Sequence, residues 1–293
     1  MVWAADERFL PHAATSMLSF LETNREIVGR IFLVGDVGKS RRWRLFQRTV
    51  AFRFGKQIEV IAPPSAETQA LFTSRGISAA SYYRLFLGSL LPPEVHHVLY
   101  LDADTLVVGP LCELGDLVAD SGAFHSYPLC AVESQGRMRH FSEFESTNFF
   151  YFNAGVLLIN LKKWRETLPV VKLVGLAKKH GSSLRFHDQD VLNLATLGNF
   201  GSLEPKFNRM RGAARAGEDR IIHFVGPAKP WTARGRKHSY TSRYRKLRRR
   251  TPYLFYVWPD AFSTVASSLA RLLGRVSVDR IGKQKVCKPD QTI

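Results

Sequence analysis

The chain has 293 residues, of which 45% are hydrophobic, and this suits one large α/β domain or two smaller ones. No run of about 20 uninterrupted apolar residues occurs, so no membrane-spanning helix is expected. The first residues lack the basic start and apolar run of a secretory signal peptide. Because Cys112, Cys130 and Cys287 are far apart, we expect a reduced cytoplasmic protein without a disulfide framework or structural zinc site.

The net charge of +17 is concentrated near the C-terminus. Residues 229–293 hold 16 Lys and Arg against 3 Asp and Glu. Such a surplus favours a polyanionic partner, either nucleic acid or an anionic membrane surface. We therefore predict a domain over residues 1–232 and a separate basic tail over residues 233–293.

Strands and helices alternate along residues 1–232. Apolar runs predict strands at 1–5, 30–35, 57–61, 97–101, 155–161 and 221–224. Helical spacing and end signals predict helices at 9–22, 40–54, 78–91 and 162–179, and a further helix that starts at 187. This order indicates an α/β fold with a mostly parallel central sheet, in which ligands collect at the carboxyl ends of the strands.

The fourth of these strands leads directly into two carboxylates, Asp102 and Asp104. Residues i and i+2 of an extended chain lie on one face, so we expect both carboxylates to point the same way. They repel each other unless a cation lies between them, and hard oxygen ligands suit Mg²⁺ or Mn²⁺. An ion held there can grip a diphosphate, although an isolated D-x-D is also typical of a solvated surface turn.

Six motifs in a fixed order are more specific than the D-x-D alone. They are A-A-D-E-R-F at 4–9, Y-Y-R-L at 82–85, L-D-A-D-T-L at 101–106, F-N-A-G-V-L-L-I-N-L-K-K-W at 152–164, H-D-Q-D-V-L-N at 187–193 and H-F-V-G-P-A-K-P-W at 223–231. With these motifs the chain resembles glycosyltransferase family 8, and within it the bacterial lipooligosaccharide galactosyl- and glucosyltransferases. The resemblance implies a GT-A type nucleotide-sugar-binding fold. It also implies retaining transfer of galactose or glucose from a UDP-sugar to a glycan, such as lipopolysaccharide or another lipid-linked saccharide.

The resemblance further implies a Mn²⁺ (or Mg²⁺) site formed by Asp102, Asp104 and His223. A neutral imidazole nitrogen at a strand end is a suitable third ligand. Without the resemblance, His223 is more readily interpreted as a structural histidine.

The same resemblance implies a binding site for the donor. Its residues are Ala4, Asp6, Phe9, Arg84, Asp102, Asn153, Gly155, Gly226 and Lys229. Asp6 and Phe9 are expected at the uracil, and Gly226 and Lys229 at the diphosphate. From the residues alone, Phe9 also fits a core position, Arg84 a surface salt bridge, and Asn153 to Gly155 a turn. Arg8 stands where the family commonly has Asn, which puts one contact with the base in doubt.

Three further residues are expected at the sugar's anomeric centre: Asp188, Gln189 and Ala154. Retention by double displacement needs a carboxylate nucleophile, and the amide of Gln189 is a poor one. We therefore favour a front-face route through a short-lived oxocarbenium–diphosphate pair, stabilised by Gln189 or by the Ala154 carbonyl. Asp188 has a simpler alternative role, because an acidic residue stabilises the first turn of a helix.

Residues 234–258 interleave cations with aromatic side chains, and 260–273 have the spacing of an amphipathic helix. This combination predicts peripheral attachment to the anionic inner face of the cytoplasmic membrane. Packing of this helix on the domain is an alternative. Nucleic-acid binding is another, but the tail has no zinc pattern, RNP-like motif or heptad to support it.

Two other functions remain open at this point. A non-catalytic membrane or nucleic-acid adaptor predicts a damaged site, yet all the expected residues are present. A nucleotidyltransferase would carry a Gly-rich loop after the first strand, which this chain lacks, whereas an NDP-sugar hydrolase on the same fold is not distinguished. Residues 120–150 have no clear pattern and are expected to form a lid or an acceptor wall.

Overall fold

A seven-stranded sheet in the order β3-β2-β1-β4-β7-β6-β8 forms the centre of the protein. The computed structural model describes residues 1–254, except residues 28, 74–77, 121, 138–149 and 211–216. The sheet's strands are Val2–Ala4 (β1), Ile31–Val34 (β2), Ile58–Ile61 (β3), His97–Asp102 (β4), Leu129–Arg137 (β6), Phe150–Asn160 (β7) and Gly201–Ser202 (β8). Thr105–Val107 (β5) and Ile221–His223 (β9) form a second, two-stranded sheet.

Four neighbouring strands, β3, β2, β1 and β4, are parallel, as are β6 and β8. The prediction of a mostly parallel α/β sheet is therefore confirmed. β7 is antiparallel to both β4 and β6, and it runs for eleven residues instead of starting at Gly155. Asn153 and Gly155 thus lie within this strand, and the alternative that they form a turn is wrong.

The helices join these strands largely where the sequence predicts them. They are Leu10–Thr23 (α1), Arg41–Phe54 (α2), Ser65–Gln69 (α3), Leu87–Leu90 (α4), Cys112–Ala119 (α5), Leu161–Thr167 (α6), Val170–His180 (α7), Asp188–Thr196 (α8) and Thr241–Arg248 (α9). The helix predicted over 78–91 is a 3₁₀ helix, Ala79–Phe86, followed by α4. The helix predicted over 162–179 is divided at Pro169, because proline disfavours a helical residue before it.

The D-x-D segment is not a continuous strand. β4 ends at Asp102, and a turn at Ala103 and Asp104 leads into β5. The expectation of two carboxylates on one extended face is therefore wrong in its geometry. β5 pairs with β9 so that Thr105 lies opposite His223, and the backbone N–H of Phe224 donates to the Asp104 carbonyl at 3.0 Å. This pairing brings the distant histidine to the aspartates.

The compact unit ends at Leu254, so it includes the first residues of the segment predicted as a tail, and the boundary predicted after residue 232 stays a prediction. α9 packs on α1, with Tyr244 fully buried and its hydroxyl 2.5 Å from His12 Nδ1. The ring of Trp231 stacks on His12 with a centroid separation of 3.5 Å. The many cations of α9 hide its buried positions in a composition count, because Arg243 and Lys246 are exposed while Tyr244 and Leu247 are buried.

Residues 255–293 lie outside the described residues, and they include the segment 260–273 predicted as an amphipathic helix. The same holds for residues 138–149 of the predicted lid or acceptor wall. Among the helices of the described ranges, none combines the length and the apolar character needed to cross a membrane.

Replacement of Tyr244 tests whether α9 belongs to the folded unit. Tyr244→Ala empties a fully buried aromatic position and is expected to lower the free energy of unfolding by about 3 to 5 kcal/mol, measured by urea denaturation. Tyr244→Phe removes only the hydroxyl and is expected to cost about 1 kcal/mol. Arg243→Gln, at the exposed neighbouring position, is the control. A Tyr244→Ala protein as stable as this control would show that α9 is dispensable.

Candidate active site

The carboxyl ends of β1 and β4 lie side by side, and the acidic residues of the site gather there. Ala4, the last residue of β1, is paired in register with Asp102, the last residue of β4. Asp6 follows β1 by two residues, and Asp104 follows β4 by two. All three aspartates therefore lie at the carboxyl ends of parallel strands, which is the edge where ligands are expected to collect.

His223 faces both aspartates of the D-x-D. Its Nε2 lies 3.2 Å from Asp104 Oδ1 and 3.7 Å from Asp102 Oδ2. The ligand atoms that the three residues offer all lie within 4.8 Å of one another. The three residues predicted to hold the metal are thus brought together, although 119 positions separate His223 from Asp104.

Each carboxylate uses its other oxygen to bind a cationic side chain. Asp102 Oδ1 accepts from Arg84 Nη2 and from the Tyr100 hydroxyl, both at 2.7 Å. Asp104 Oδ2 accepts from Lys229 Nζ, which also donates to the Phe224 carbonyl at 2.6 Å. Burial raises the pKa of Asp104, but Lys229 and His223 outweigh it, so this pKa lies well below its ordinary value. Asp104 is therefore an anion throughout the physiological range.

These residues fit a divalent cation. One oxygen of each aspartate and one nitrogen of His223 face a common point, and two carboxylates with an imidazole are ligands that Mn²⁺ and Mg²⁺ accept. Separations of 3.2 and 3.7 Å are close to the spacing of adjacent ligands around one ion with bonds of about 2.1 Å.

Arg84 is buried beside Asp102, so the alternative that it forms a surface salt bridge is wrong. Its Nε lies 2.6 Å from Asp188 Oδ2, and its guanidinium covers the ring of Tyr100 at 4.7 Å from the ring centroid. A third hydrogen bond runs from Nη1 to the Ala154 carbonyl. Arg84 therefore joins Asp102, Asp188 and Ala154, and its predicted contact with the donor stays a prediction.

Asp188 starts α8 and is 4% exposed. Burial raises its pKa to about 7, although the adjacent Arg84 acts in the opposite direction. The preceding residue, His187, has φ of 50°, a left-handed conformation that is strained for a residue other than glycine. This sharp turn directs Asp188 toward Arg84 instead of leaving it as an exposed first-turn acid.

Gln189 is held at the start of α8 by three hydrogen bonds. Its Oε1 accepts from Asn153 Nδ2 at 2.9 Å and from the backbone N–H of Ala154 at 3.0 Å. Its Nε2 donates to the Tyr151 hydroxyl at 2.8 Å, and that hydroxyl donates to buried Asp190 at 2.6 Å. Gln189 and Ala154, predicted at the anomeric centre, and Asn153, predicted to bind the donor, thus lie in direct contact.

Gly155 lies against the imidazole of His223. A Cβ atom at this position would lie 2.1 Å from Cε1 of that ring and 2.5 Å from Nδ1. Only glycine leaves room for the ring to pack on β7. The predicted place of Gly155 beside the donor sugar stays a prediction, and its contact with His223 is a role that the motif does not reveal.

Asp6 and Phe9, predicted at the uracil, lie in the loop before α1. Gly226 and Lys229, predicted at the diphosphate, lie in the turn after β9. Asp6 Oδ1 accepts from the backbone N–H of Phe9 at 3.0 Å, while the Phe9 ring makes an edge contact with Trp231 at 6.3 Å. Gly226 has φ of 71°, which glycine adopts without strain, in an exposed turn three residues before Lys229. The structure places these residues near the metal-site residues without testing their contacts with a nucleotide.

Sequence reasoning does not identify Asn208, Tyr151 or Asp190. Asn208 is 1% exposed, and its Oδ1 lies 3.0 Å from His223 Nδ1. Asn208 belongs to no motif, so nothing in the sequence marks it. Tyr151 and Asp190 adjoin or belong to motifs already quoted, but only the fold shows that their side chains meet.

Comparison with known proteins places this geometry in a family. The family model described as glycosyl transferase family 8 matches residues 1–235. The chain belongs to this family. The family resemblance predicted from the six motifs is therefore confirmed.

Individual family 8 relatives share about a quarter of their residues with the chain. General stress protein A of Bacillus subtilis is 27% identical, over 83% of this chain and 91% of that protein. A lipopolysaccharide 1,2-glucosyltransferase of Escherichia coli is 28% identical, over 78% of this chain and 72% of that protein. A crystal structure of the galactosyltransferase LgtC with donor and acceptor sugar analogues matches with a TM-score of 0.67 and 26% identity, covering 85% of this chain and 95% of that chain. The chain is a glycosyltransferase of the GT-A fold type.

Gly155→Ala tests the packing of His223 on β7. The added methyl group cannot occupy the place of the imidazole, so the ring must move away from the aspartates. We expect the dissociation constant for Mn²⁺, measured by electron paramagnetic resonance of the free ion, to rise roughly tenfold or more. Gly175→Ala, in α7 with nothing within 4 Å of its Cβ position, is the matched control. Equal affinities of the two variants would contradict this role of Gly155.

Proposed function

We propose that this family 8 member is a retaining, metal-dependent hexosyltransferase that moves galactose or glucose from a UDP-sugar to a glycan. The observation that carries the proposal is the convergence of Asp102, Asp104 and His223 at the carboxyl edge of the sheet. These residues would hold Mn²⁺ or Mg²⁺. Such an ion, when bound, neutralises the charge that develops on a departing diphosphate.

Lys229 and Gly226 are proposed to bind the same diphosphate. The ammonium of Lys229 rests on Asp104 and is close enough to the metal-site residues to shift onto an anion bound there. Gly226 presents bare backbone in an exposed turn, which lets phosphate oxygens approach closely. Asp6 and Phe9 are proposed to hold the uracil beside them, with Asp6 as an acceptor and Phe9 as a stacking surface.

Gln189 is proposed to stabilise positive charge on the sugar by its amide dipole. Both lone pairs of its Oε1 accept hydrogen bonds, and an oxygen engaged in this way is a poor nucleophile. The Ala154 carbonyl accepts from the cationic guanidinium of Arg84, whereas the donors to Gln189 Oε1 are neutral, so Gln189 is the better placed of the two predicted dipoles to face a second positive charge. These contacts support a front-face route over a covalent intermediate, with the departing diphosphate oxygen taking the proton of the acceptor hydroxyl.

A donor screen tests the proposed reaction. The full chain is incubated with Mn²⁺ and a panel of nucleotide sugars, and UDP release is followed with and without a lipid-glycan extract. We expect release from UDP-galactose or UDP-glucose that rises with the extract. Release that is indifferent to every acceptor would indicate hydrolysis, and no release from any UDP-sugar would refute the proposal.

Asp104→Asn supplies the matched test of the metal site. The substitution removes a charged metal ligand, so turnover is expected to fall roughly 100-fold or more. Asp116→Asn changes an exposed aspartate of α5 in the same way and is expected to retain full turnover. Equal turnover of the two variants would mean that Asp104 does not take part.

We further propose that the enzyme works at the inner face of the cytoplasmic membrane on a lipid-linked saccharide. Two of the relatives, from Escherichia coli and Salmonella typhimurium, are described as lipopolysaccharide glucosyl- and galactosyltransferases. Besides the basic tail, α2 supports this location, because it contains five arginines and no acidic residue. Its exposed stripe carries Arg41, Leu45, Arg48 and Phe52, and the Phe52 side chain is 92% exposed. Cations alternating with apolar side chains suit an anionic lipid surface.

Vesicle binding tests the contribution of α2. Each cation near an anionic bilayer contributes about 1 kcal/mol, so the full-length triple variant Arg41→Gln, Arg48→Gln, Phe52→Ser is expected to bind phosphatidylglycerol vesicles at least fivefold more weakly. The matched control replaces Lys178 and Lys179 with Gln and exposed Val171 with Ser on α7. Equal losses for the two triple variants would show that α2 does not dock on the bilayer.

A further inference from the structure

Asn208 links the histidine of the metal site to the residues around Gln189. It lies just after a 3₁₀ turn, Pro205–Phe207, and its side chain is buried between β7 and β9. Its Oδ1 is 3.0 Å from His223 Nδ1, and its Nδ2 is 2.9 Å from Asn153 Oδ1. Asn153 in turn donates to Gln189. Three neutral amides therefore connect the metal-site imidazole with the sugar side of the site.

The direction of every hydrogen bond in this chain of contacts follows from two backbone groups. A backbone N–H can only donate. The N–H of Gly155 points at Asn153 Oδ1 at 3.0 Å, and the N–H of Ala154 points at Gln189 Oε1 at 3.0 Å. The oxygens of Asn153 and Gln189 are thereby fixed in place, and Asn153 must turn its NH₂ group toward Gln189.

The orientation of Asn208 follows from that of Asn153. Because Asn153 presents an oxygen, Asn208 must present its NH₂ group there and its own oxygen toward His223. An amide oxygen is only an acceptor, so His223 Nδ1 must carry a proton to bond with it. In the neutral ring the lone pair is then on Nε2, which is the nitrogen that faces Asp102 and Asp104.

Asp104 favours the other neutral tautomer of His223, in which Nε2 carries the proton, and Asn208 must oppose this preference. An Nε2–H group would donate to the Asp104 carboxylate, which lies only 3.2 Å away, and would occupy the place of a cation. It would also leave the Nδ1 lone pair facing the oxygen of Asn208 in a buried environment, where two acceptors repel each other. The buried amides thus oppose the direct attraction between the imidazole and the aspartate.

We propose that Asn208, oriented through Asn153 by the backbone N–H of Gly155, is a positioning residue that keeps the proton of His223 on Nδ1 and leaves Nε2 available to a divalent cation. The identity of the bound ion rests on the proposed function, but the tautomer does not. It is a property of the chain itself and can be read in the absence of metal, donor and acceptor.

The test compares Asn208→Leu with Asn208→Asp in the full chain. Leu has a similar size but no acceptor, whereas Asp keeps an oxygen acceptor for Nδ1 while it loses the donor to Asn153 and adds a negative charge. Ring nitrogens of ¹⁵N-histidine-labelled, metal-free protein are read by NMR at a pH where imidazole is neutral, with His223→Gln to assign the signals. The Mn²⁺ dissociation constant of each variant is measured by electron paramagnetic resonance of the free ion.

We expect an Nδ1–H tautomer in the unchanged protein and in Asn208→Asp, with Mn²⁺ affinities within about threefold of each other. Asn208→Leu is expected to place the proton on Nε2 and to bind Mn²⁺ about 10- to 100-fold more weakly, the range for the loss of a group that orients a ligand. A merely structural role would make the two substitutions equally harmful. If Asn208→Leu does not fold, Asn208→Ala takes its place with the same expectation.

Two results would overturn the proposal. One is an Nδ1–H tautomer in the variant without an acceptor, and the other is equal loss of Mn²⁺ affinity in both variants. Tyr151→Phe serves as the control at the far end of the amide chain, because it removes the partner of Gln189 Nε2 and leaves Asn208 unchanged. It is expected to keep the tautomer and the Mn²⁺ affinity. Failure of every UDP-sugar in the donor screen would refute the reaction and leave the tautomer result standing.

Discussion

The pairing of β5 with β9 is the constraint on which the site depends. β4 ends at Asp102, and the chain turns at once so that β5 leaves the main sheet and forms its own two-stranded ladder. The register of that ladder sets Thr105 opposite His223, one residue from Asp104. A slip of the register by one residue would turn the His223 side chain to the other face of the ladder. Asp102 and Asp104 are thus held beside His223, which comes from a distant part of the sequence, by the backbone hydrogen bonds of this ladder.

The electrostatics of the site follow from this close approach. Burial disfavours the charged forms of Asp104 and Asp188. Arg84 lies between Asp102 and Asp188, and Lys229 rests on Asp104, so each carboxylate has one cationic neighbour. Arg84 is buried and anchored on three sides, which makes it a permanent part of the scaffold. Lys229 is a single ammonium on a flexible stem, which suits a group that changes partners when a diphosphate enters.

The sequence predicts the strands and helices of this fold better than it predicts the turns and strand pairings that connect them. Apolar runs identify β1 to β4 within a residue or two, because buried parallel strands have a strong and simple signal. The turn at Asp104 and the three-residue strand β5 have no such signal. An apolar run predicts β9, but not its pairing with β5, which spans more than a hundred residues. The motifs identified His223, Gln189 and Arg84, but burial of Arg84 and the contact of Gly155 with the imidazole depend on packing. No sequence pattern identifies Asn208, because the role of an isolated asparagine depends on the side chains that surround it in the folded protein. Charge counts do not reveal the buried positions of α9 for a related reason, since they average over the helix while its buried positions follow helical periodicity.

The side-chain amides that run from Asn208 to Gln189 are neutral, and this neutrality has a physical consequence. Asn208, Asn153 and Gln189 are held by hydrogen bonds whose directions are set by backbone N–H groups. Charged groups in these positions would add their own fields to a site that is proposed to bind a cation and a diphosphate. Amides transmit orientation without adding net charge, so the imidazole can present its lone pair while the balance of charge is left to Asp102, Asp104, Arg84 and Lys229. The cost is that every amide must be satisfied, because a buried donor or acceptor without a partner costs about 1 to 3 kcal/mol. If one amide were reversed, its neighbours would have to reverse as well. The backbone N–H groups of Ala154 and Gly155 prevent this, because a backbone group cannot turn.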